Sequence, residues 1–204
     1  MALADANGLD ALSMRRLARD LGVETMSLYH YFPSKVELLG AMLGAVYSEF
    51  ELPSADGDWR SAMRRSAISA HQALLQHPWA SALIGLPTSA SRAQLEWMNT
   101  LLRRLRSAGF SAAMTHHAYH AIESHIVGYT LWVLPFMAVA RERPDVVQRF
   151  IEHVSKSDLP HLMEHVEYHM ADAREDDTPE FEFGLDVLLD GLDRLRDSPQ
   201  ASPA

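Results

Sequence analysis

Leu12-Ser13-Met14-Arg15-Arg16-Leu17-Ala18-Arg19-Asp20-Leu21-Gly22-Val23-Glu24-Thr25-Met26-Ser27-Leu28-Tyr29-His30-Tyr31-Phe32 is the stretch whose reading decides the fold. Leu17 and Leu21 lie one helical turn apart, and Val23, Leu28 and Tyr31 or Phe32 supply the apolar positions that face them. Ala18 is small where two short helices must cross closely, and Gly22 permits the positive φ that ends the first of them. Two such helices joined by a tight turn form a helix-turn-helix, whose second helix enters a DNA major groove. Thr25, Met26, Ser27, Tyr29 and His30 are left pointing outward, with Arg15 and Lys35 flanking them. These are hydroxyls, a ring nitrogen, an apolar tip and two cations, a set suited to base edges and phosphates. A plain helical hairpin is the alternative, and the spacing favours the helix-turn-helix.

Outward from this stretch, helical periodicity continues almost throughout and strand signals are nearly absent, which predicts an all-α chain. Punctuation near Gly8, Gly22, Pro33, Pro53 to Gly57, His77-Pro78, Leu86 to Ser91, Gly109, Pro144, Pro160 and Thr178-Pro179 divides it into roughly nine helices. Helices up to about residue 31 are short and the later ones long, a shift that marks a domain boundary. The expected organisation is an N-terminal helix-turn-helix unit of three helices over 1–44, a larger helical bundle over 45–197 and a disordered tail over 198–204. Ser34-Lys35-Val36-Glu37 has capping-box spacing and predicts a helix running through Val46. Ser89 or Ser91 can cap the next long helix, and Ser111 one that reaches about Glu142 with a kink at Pro135. In the last helix Phe181, Leu185, Leu188, Leu192 and Leu195 repeat at intervals of four and three. Asp186, Asp190, Asp193 and Asp197 take another face, the pattern of a bundle or subunit seam.

The chain has 204 residues, of which 48% are hydrophobic, enough for a sizeable core and too many for a disordered chain. It has no cysteine, which excludes a disulfide framework, a thiolate zinc site and a cysteine nucleophile. It opens without a basic leader, and no run reaches ~18 apolar residues, so a cytoplasmic protein with no membrane partner is expected. The net charge of −9 is unevenly distributed: residues 1–44 carry four basic and five acidic side chains, and the rest of the chain fourteen and twenty-two. Most of the acidity therefore lies on the bundle and does not exclude DNA at the head, although the head itself is not basic.

The stretch Leu12 to Leu39, with Leu28-Tyr29-His30-Tyr31-Phe32-Pro33-Ser34-Lys35-Val36-Glu37-Leu38-Leu39 as its most specific part, resembles the DNA-binding domain of the TetR family of bacterial transcriptional repressors. His77-Pro78-Trp79, Ser107-Ala108-Gly109-Phe110, Ile126-Val127-Gly128-Tyr129 and Phe181-Glu182-Phe183-Gly184-Leu185 through Gly191-Leu192 resemble the C-terminal ligand-binding domain of its tetracycline-repressor subgroup. The resemblance implies an all-helical homodimer that binds a palindromic double-stranded operator and is released by a small hydrophobic effector. It places Arg15, Thr25, Met26, Ser27, Tyr29, His30 and Lys35 at DNA-contacting positions. By side-chain type, Lys35 and Tyr29 suit phosphates, and Met26 suits a thymine methyl. By the same resemblance, Met1 to Gly8 reads as the end of a longer first helix.

The resemblance does not extend to a tetracycline-magnesium site. Leu101 stands where a glutamine would be expected and Trp132 where a glutamate would be, and only His125 matches. Trp97, Met98, Leu101, His117, Ala121, His125, Ile126, Tyr129 and Trp132 suggest instead an aromatic, methionine-lined pocket between two long helices, with no cofactor. Phe181, Leu185, Leu188, Leu192 and Leu195, with Gly184 and Gly191 permitting close approach, are expected to pack with the helix around Gly128 into an intersubunit four-helix bundle. Two reading helices would then lie about one DNA turn, ~34–36 Å, or a modest multiple of it, apart.

Two further readings remain. His161, His165 and His169, and His116 with His120, are spaced so that imidazoles share a helix face and could clamp a metal ion. Solvated histidines beside an acidic run explain the same pattern, so no metal site is assigned. There is no Gly-rich phosphate loop, Gly-x-Ser-x-Gly elbow or His-Glu-x-x-His, and an enzyme is not expected. The alternative function is a small-molecule or metal-binding helical protein with weakened DNA binding.

Overall fold

The computed structural model describes residues 1–85, 90–172 and 179–197, and every regular element in them is helical. The helices are α1 (Ala2–Asn7), α2 (Met14–Leu21), α3 (Thr25–Tyr31), α4 (Lys35–Tyr47), α5 (Trp59–Gln76), α6 (Pro78–Ser81), α7 (Arg92–Ser107), α8 (Ala112–Glu142), α9 (Pro144–Ser155), α10 (Pro160–Asp172) and α11 (Pro179–Asp197). The count exceeds the roughly nine expected from punctuation. Pro78 and Pro144 each occupy the first turn of a helix, where the missing N–H has no intrahelical partner to lose and φ is already set. What reads in sequence as a break is in structure a start.

Serine caps organise the long helices. Ser34, Ser91 and Ser111 accept from the backbone N–H of Glu37, Gln94 and Met114 at 3.2, 3.1 and 3.2 Å, each worth about 1 kcal/mol. Ser91 is thus the cap of α7; Ser89, the other candidate, lies outside the described residues, as does the 198–204 tail. Gly22 takes the left-handed conformation at φ 68°, and Val23 N–H closes back on the Ala18 carbonyl at 3.0 Å.

In the head, Ala4, Leu12, Met14, Ala18, Leu28 and Leu38 are buried, with Leu17, Phe32 and Leu39 packed against them. Leu21 and Val23, expected to face inward, are 59% and 45% exposed, and of the pair Tyr31 or Phe32 it is Phe32 that packs against the core. Helices of eight and seven residues have little length to share, so Ala18 and Leu28 are buried while the stripe positions nearest the turn stay exposed. The expected boundary at residue 44 falls inside α4, which runs unbroken from head to bundle.

The 31-residue α8 packs against α5, α7, α9 and α11. By length and composition it could cross a membrane, yet in this fold it is the helix around which the bundle is built. The acidic face of α11 lies against α5 rather than being fully solvated. Arg64 pairs with Asp186 at 3.0 Å and with Glu182, Arg60 pairs with Asp190, and Trp59 Nε1 donates to Asp193 at 3.3 Å. Half-exposed pairs of this kind stabilise by up to about 1 kcal/mol each, and they set the register of α11 on α5.

Candidate DNA-reading head and effector cavity

The outer side of α3 carries Met26, Ser27, Tyr29 and His30 into solvent, with Thr25 half-buried at its first turn and Leu28 turned into the core. Arg15 in the first turn of α2 and Lys35 at the start of α4 are exposed on either side of it. All seven sequence-predicted contact residues therefore lie at the surface of one small head. Met26 is 77% exposed, an apolar side chain that nothing among the described residues covers. Lys35 Nζ reaches the Leu9 carbonyl, in the loop after α1, only at a long 3.4 Å.

The bundle contains a narrow cleft of about 10 Å³, room for about one water molecule. Its walls are Tyr47 at the end of α4, Phe50 just beyond it, Trp97 on α7, and Glu123, Ile126 and Val127 on α8, with Leu74 and Ile84 completing the lining. The three rings touch one another, with centroids 4.8 Å (Tyr47–Phe50), 5.8 Å (Tyr47–Trp97) and 5.6 Å (Phe50–Trp97) apart. Trp97 Nε1 donates to Ser66 Oγ at 3.2 Å, and Ser66 donates to the Glu51 carbonyl at 2.6 Å, so the indole is fixed in place. Glu123 accepts from the Tyr119 hydroxyl at 2.7 Å. Burial and then the Glu123 carboxylate push the Tyr47 phenol well above its ordinary value, and burial with the bond to Glu123 does the same for Tyr119. Both phenols are neutral, and that of Tyr119 donates to Glu123.

Of the nine pocket residues expected from sequence, Trp97 and Ile126 line this cleft. Leu101 is buried, Met98, Ala121, His125 and Tyr129 are half-buried, and His117 and Trp132 are exposed. His117, Ala121, His125 and Trp132 follow one stripe of α8, whereas the cleft is lined from the stripe holding Glu123, Ile126 and Val127. His125 belongs to a separate aromatic stack: its ring lies 4.8 Å from that of Phe181, and its Nε2 is 2.9 Å from the Phe181 carbonyl. Tyr47 and Phe50 lie past the helix expected through Val46 and, like Glu123, are not among the pocket residues expected from sequence.

Residues 52–196 match the family model described as "Tetracyclin repressor-like, C-terminal domain", and residues 1–42 match "Bacterial regulatory proteins, tetR family". The chain belongs to the TetR family. Similar relatives include the HTH-type transcriptional repressor DrrR1 of Streptomyces coeruleorubidus, 32% identical over 95% of this chain and 74% of the relative. The class A tetracycline repressor from transposon 1721 of Escherichia coli is 34% identical over 93% and 84%. Among solved structures, BioQ with its natural double-stranded DNA operator superposes with a TM-score of 0.65 at 25% identity, covering 94% of this chain and 91% of that one. The helix-turn-helix is thus a TetR-type head, and the chain is a DNA-binding transcriptional regulator rather than a bare helical hairpin.

The TetR-type bundle redistributes the expected subunit seam. Phe181, Leu185 and Leu192 lie in the protomer's own core, Leu188 is half-buried, and only Leu195 is exposed. Gly184 does allow a close approach, but within the chain: a Cβ there would sit 2.7 Å from His125 Cε1. Gly191 and the exposed Gly128 have open space around them. The reason is that α11 has two apolar stripes. The one with the regular spacing is filled by α5 and α8, and the second, Phe183 and Val187, is exposed. His116 and His120 lie edge to face at 4.6 Å, with His120 Nδ1 3.5 Å from Glu123. Among the described residues no group of three or more ligating side chains is placed to hold a metal ion. The side chain of His169 lies outside the described set.

Proposed function

We propose that this chain is a cytoplasmic, dimeric repressor that reads a palindromic operator through α3 and is released when a small effector opens the cleft between α4, α7 and α8. The observation that carries this reading is that one helix serves both ends. α4 begins at Lys35 beside the reading helix and ends at Tyr47 in the wall of the cleft. Drug-sized ligands need sites of about 300–1,000 Å³, so an occupant must part α4 from α7. A ligand that prefers the parted shape shifts the population toward it, and the head moves with α4.

Arg15, Thr25, Met26, Ser27, Tyr29, His30 and Lys35 are assigned to operator contact. The second subunit is assigned to the exposed faces of α8 and α11, around Gly128, Trp132, Phe183, Val187 and Leu195, which remain apolar after the core is filled. Gel shifts with the DNA upstream of the chain's own gene, repeated against a panel of compounds, test the reading. Retarded DNA released by at least one small hydrophobic compound is the expected result, with a dimer by sedimentation that Val187→Asp disrupts. A monomer at micromolar concentration, or no operator retention by the dimer, would overturn it.

A further inference from the structure

We infer that the effector is a cationic aromatic compound, whose ammonium group pairs with Glu123 while its ring lies against Tyr47, Phe50 and Trp97. This deepens the repressor reading above and rests on it. Among the described residues Glu123 is the only charged side chain in the cleft lining, and no lysine or arginine contributes to it. One carboxylate oxygen takes the Tyr119 hydroxyl at 2.7 Å, and the other faces the half-exposed His120 ring at 3.5 Å, leaving acceptor capacity for a further donor. Tyr47 and Tyr119 are held as neutral phenols, so neither adds a second negative charge beside the carboxylate.

The three rings meet at centroid distances of 4.8 to 5.8 Å, and their electron-rich faces attract a cation once water is displaced. An anionic ligand would meet the carboxylate directly. A neutral one would strip water from Glu123 without replacing it, leaving a desolvated charge uncompensated. The guanidinium groups of α5 are engaged elsewhere: Arg60 and Arg64 are paired with the acids of α11 and Arg65 with Glu51 at 3.4 Å.

Three probes that share one ring system test the inference by titration calorimetry at neutral pH: 2-(1-naphthyl)ethylamine, 2-(1-naphthyl)ethanol and 1-naphthylacetic acid. The amine should bind at least about tenfold more tightly than the alcohol, and the acid most weakly. Glu123→Gln should erase the difference between amine and alcohol, weakening the amine while the alcohol binds as well as before or better. Equal binding of amine and alcohol, preference for the acid, no amine binding at millimolar concentration, or a preference that survives Glu123→Gln would each overturn it. Should Glu123→Gln fail to fold, Phe50→Leu decides alongside the wild-type ratio: amine affinity falls severalfold if the inference holds and is unchanged if it does not. Operator retention in a gel shift is measured on the same preparations. Retention without amine preference removes the charge assignment alone, whereas loss of retention removes the repressor reading.

Discussion

Gly44 of α4 and Ser91, the cap of α7, are packed so closely that a Cβ added to Gly44 would sit 2.6 Å from Ser91 Cβ and 2.8 Å from its hydroxyl. Neither atom is the far end of a long side chain, so the two helices themselves would have to separate. Gly44→Ala should therefore destabilise by about 1–3 kcal/mol from overpacking, partly offset by about 1 kcal/mol of helix propensity. Because the same separation is what an effector is proposed to produce, operator affinity should fall as well. Ser91→Gly costs only a few tenths of a kcal/mol as a cap and clears the space, so the double variant should recover part of both losses. Thermal melts and gel shifts on the four proteins measure this, and an unchanged melting temperature in Gly44→Ala would contradict it.

The head is tied to the bundle a second time through Asp5, whose carboxylate takes His77 Nδ1 at 2.7 Å and Trp79 Nε1 at 2.6 Å. His77 Nε2 also lies 3.3 Å from Glu49, so one ring joins α1, the loop before α6 and the segment after α4. Burial alone would raise the Asp5 carboxyl, but the bonds from His77 and Trp79 and the charge of His77 outweigh it, and the group lies below its ordinary value. A depressed carboxyl contributes stability that is present above the unfolded-state value near pH 4 and lost as the pH falls through the folded one. Asp5→Asn should remove that acid-limb loss and cost about 1 kcal/mol near neutrality. Chemical denaturation at pH 7 and at pH 3 to 4 compares the two proteins; identical curves throughout would show that the contact contributes nothing.

Much of the head was legible in sequence because its signals are local. Gly22, the Ser34 cap and the outward set on α3 depend on residues within one turn of each other. The cleft was less legible because it is assembled from α4, α5, α7 and α8, and periodicity cannot distinguish a buried wall from a buried core. Tyr47 and Phe50 look like any apolar helix end until Trp97 is placed beside them. The seam of α11 shows the same limit. The four-three spacing of Phe181, Leu185 and Leu192 states that a stripe is buried, not which chain buries it.

His71 places a pH-sensitive group where α5, α8 and α11 meet. Its ring stacks on Phe181 at 4.1 Å, and its Nδ1 is 2.7 Å from Thr130 Oγ1. Thr130 gives its hydroxyl proton to the Ile126 carbonyl at 2.7 Å, so the histidine must donate and is the Nδ1–H tautomer. Burial, with a smaller push from His125, lowers His71 to about 4. The unfolded chain takes up this proton below about pH 6.5 and the folded chain does not, so stability should decline from there toward pH 4, by as much as ~3 kcal/mol. His71→Phe keeps the stack without the titration and should flatten that limb. Equal pH dependence in the two proteins would assign the acid sensitivity elsewhere.

Lys35 and Met26 should separate the two components of operator binding. Lys35 is an exposed cation beside the reading helix, and its bond to the Leu9 carbonyl at 3.4 Å is too long to contribute much to folding. Lys35→Ala should therefore leave stability within about 0.5 kcal/mol and weaken binding to every sequence alike. It should also reduce the slope of log affinity against log salt by about one unit. Met26→Ala removes an apolar group that is 77% exposed, so folding should not suffer, and the salt slope should stay as it is. Its loss should appear only in the ratio of operator to random DNA, because a methyl contact reads a base and a charge reads the backbone. An unchanged slope in Lys35→Ala removes that residue from the contact set, and an unchanged ratio in Met26→Ala leaves its exposure without a DNA explanation.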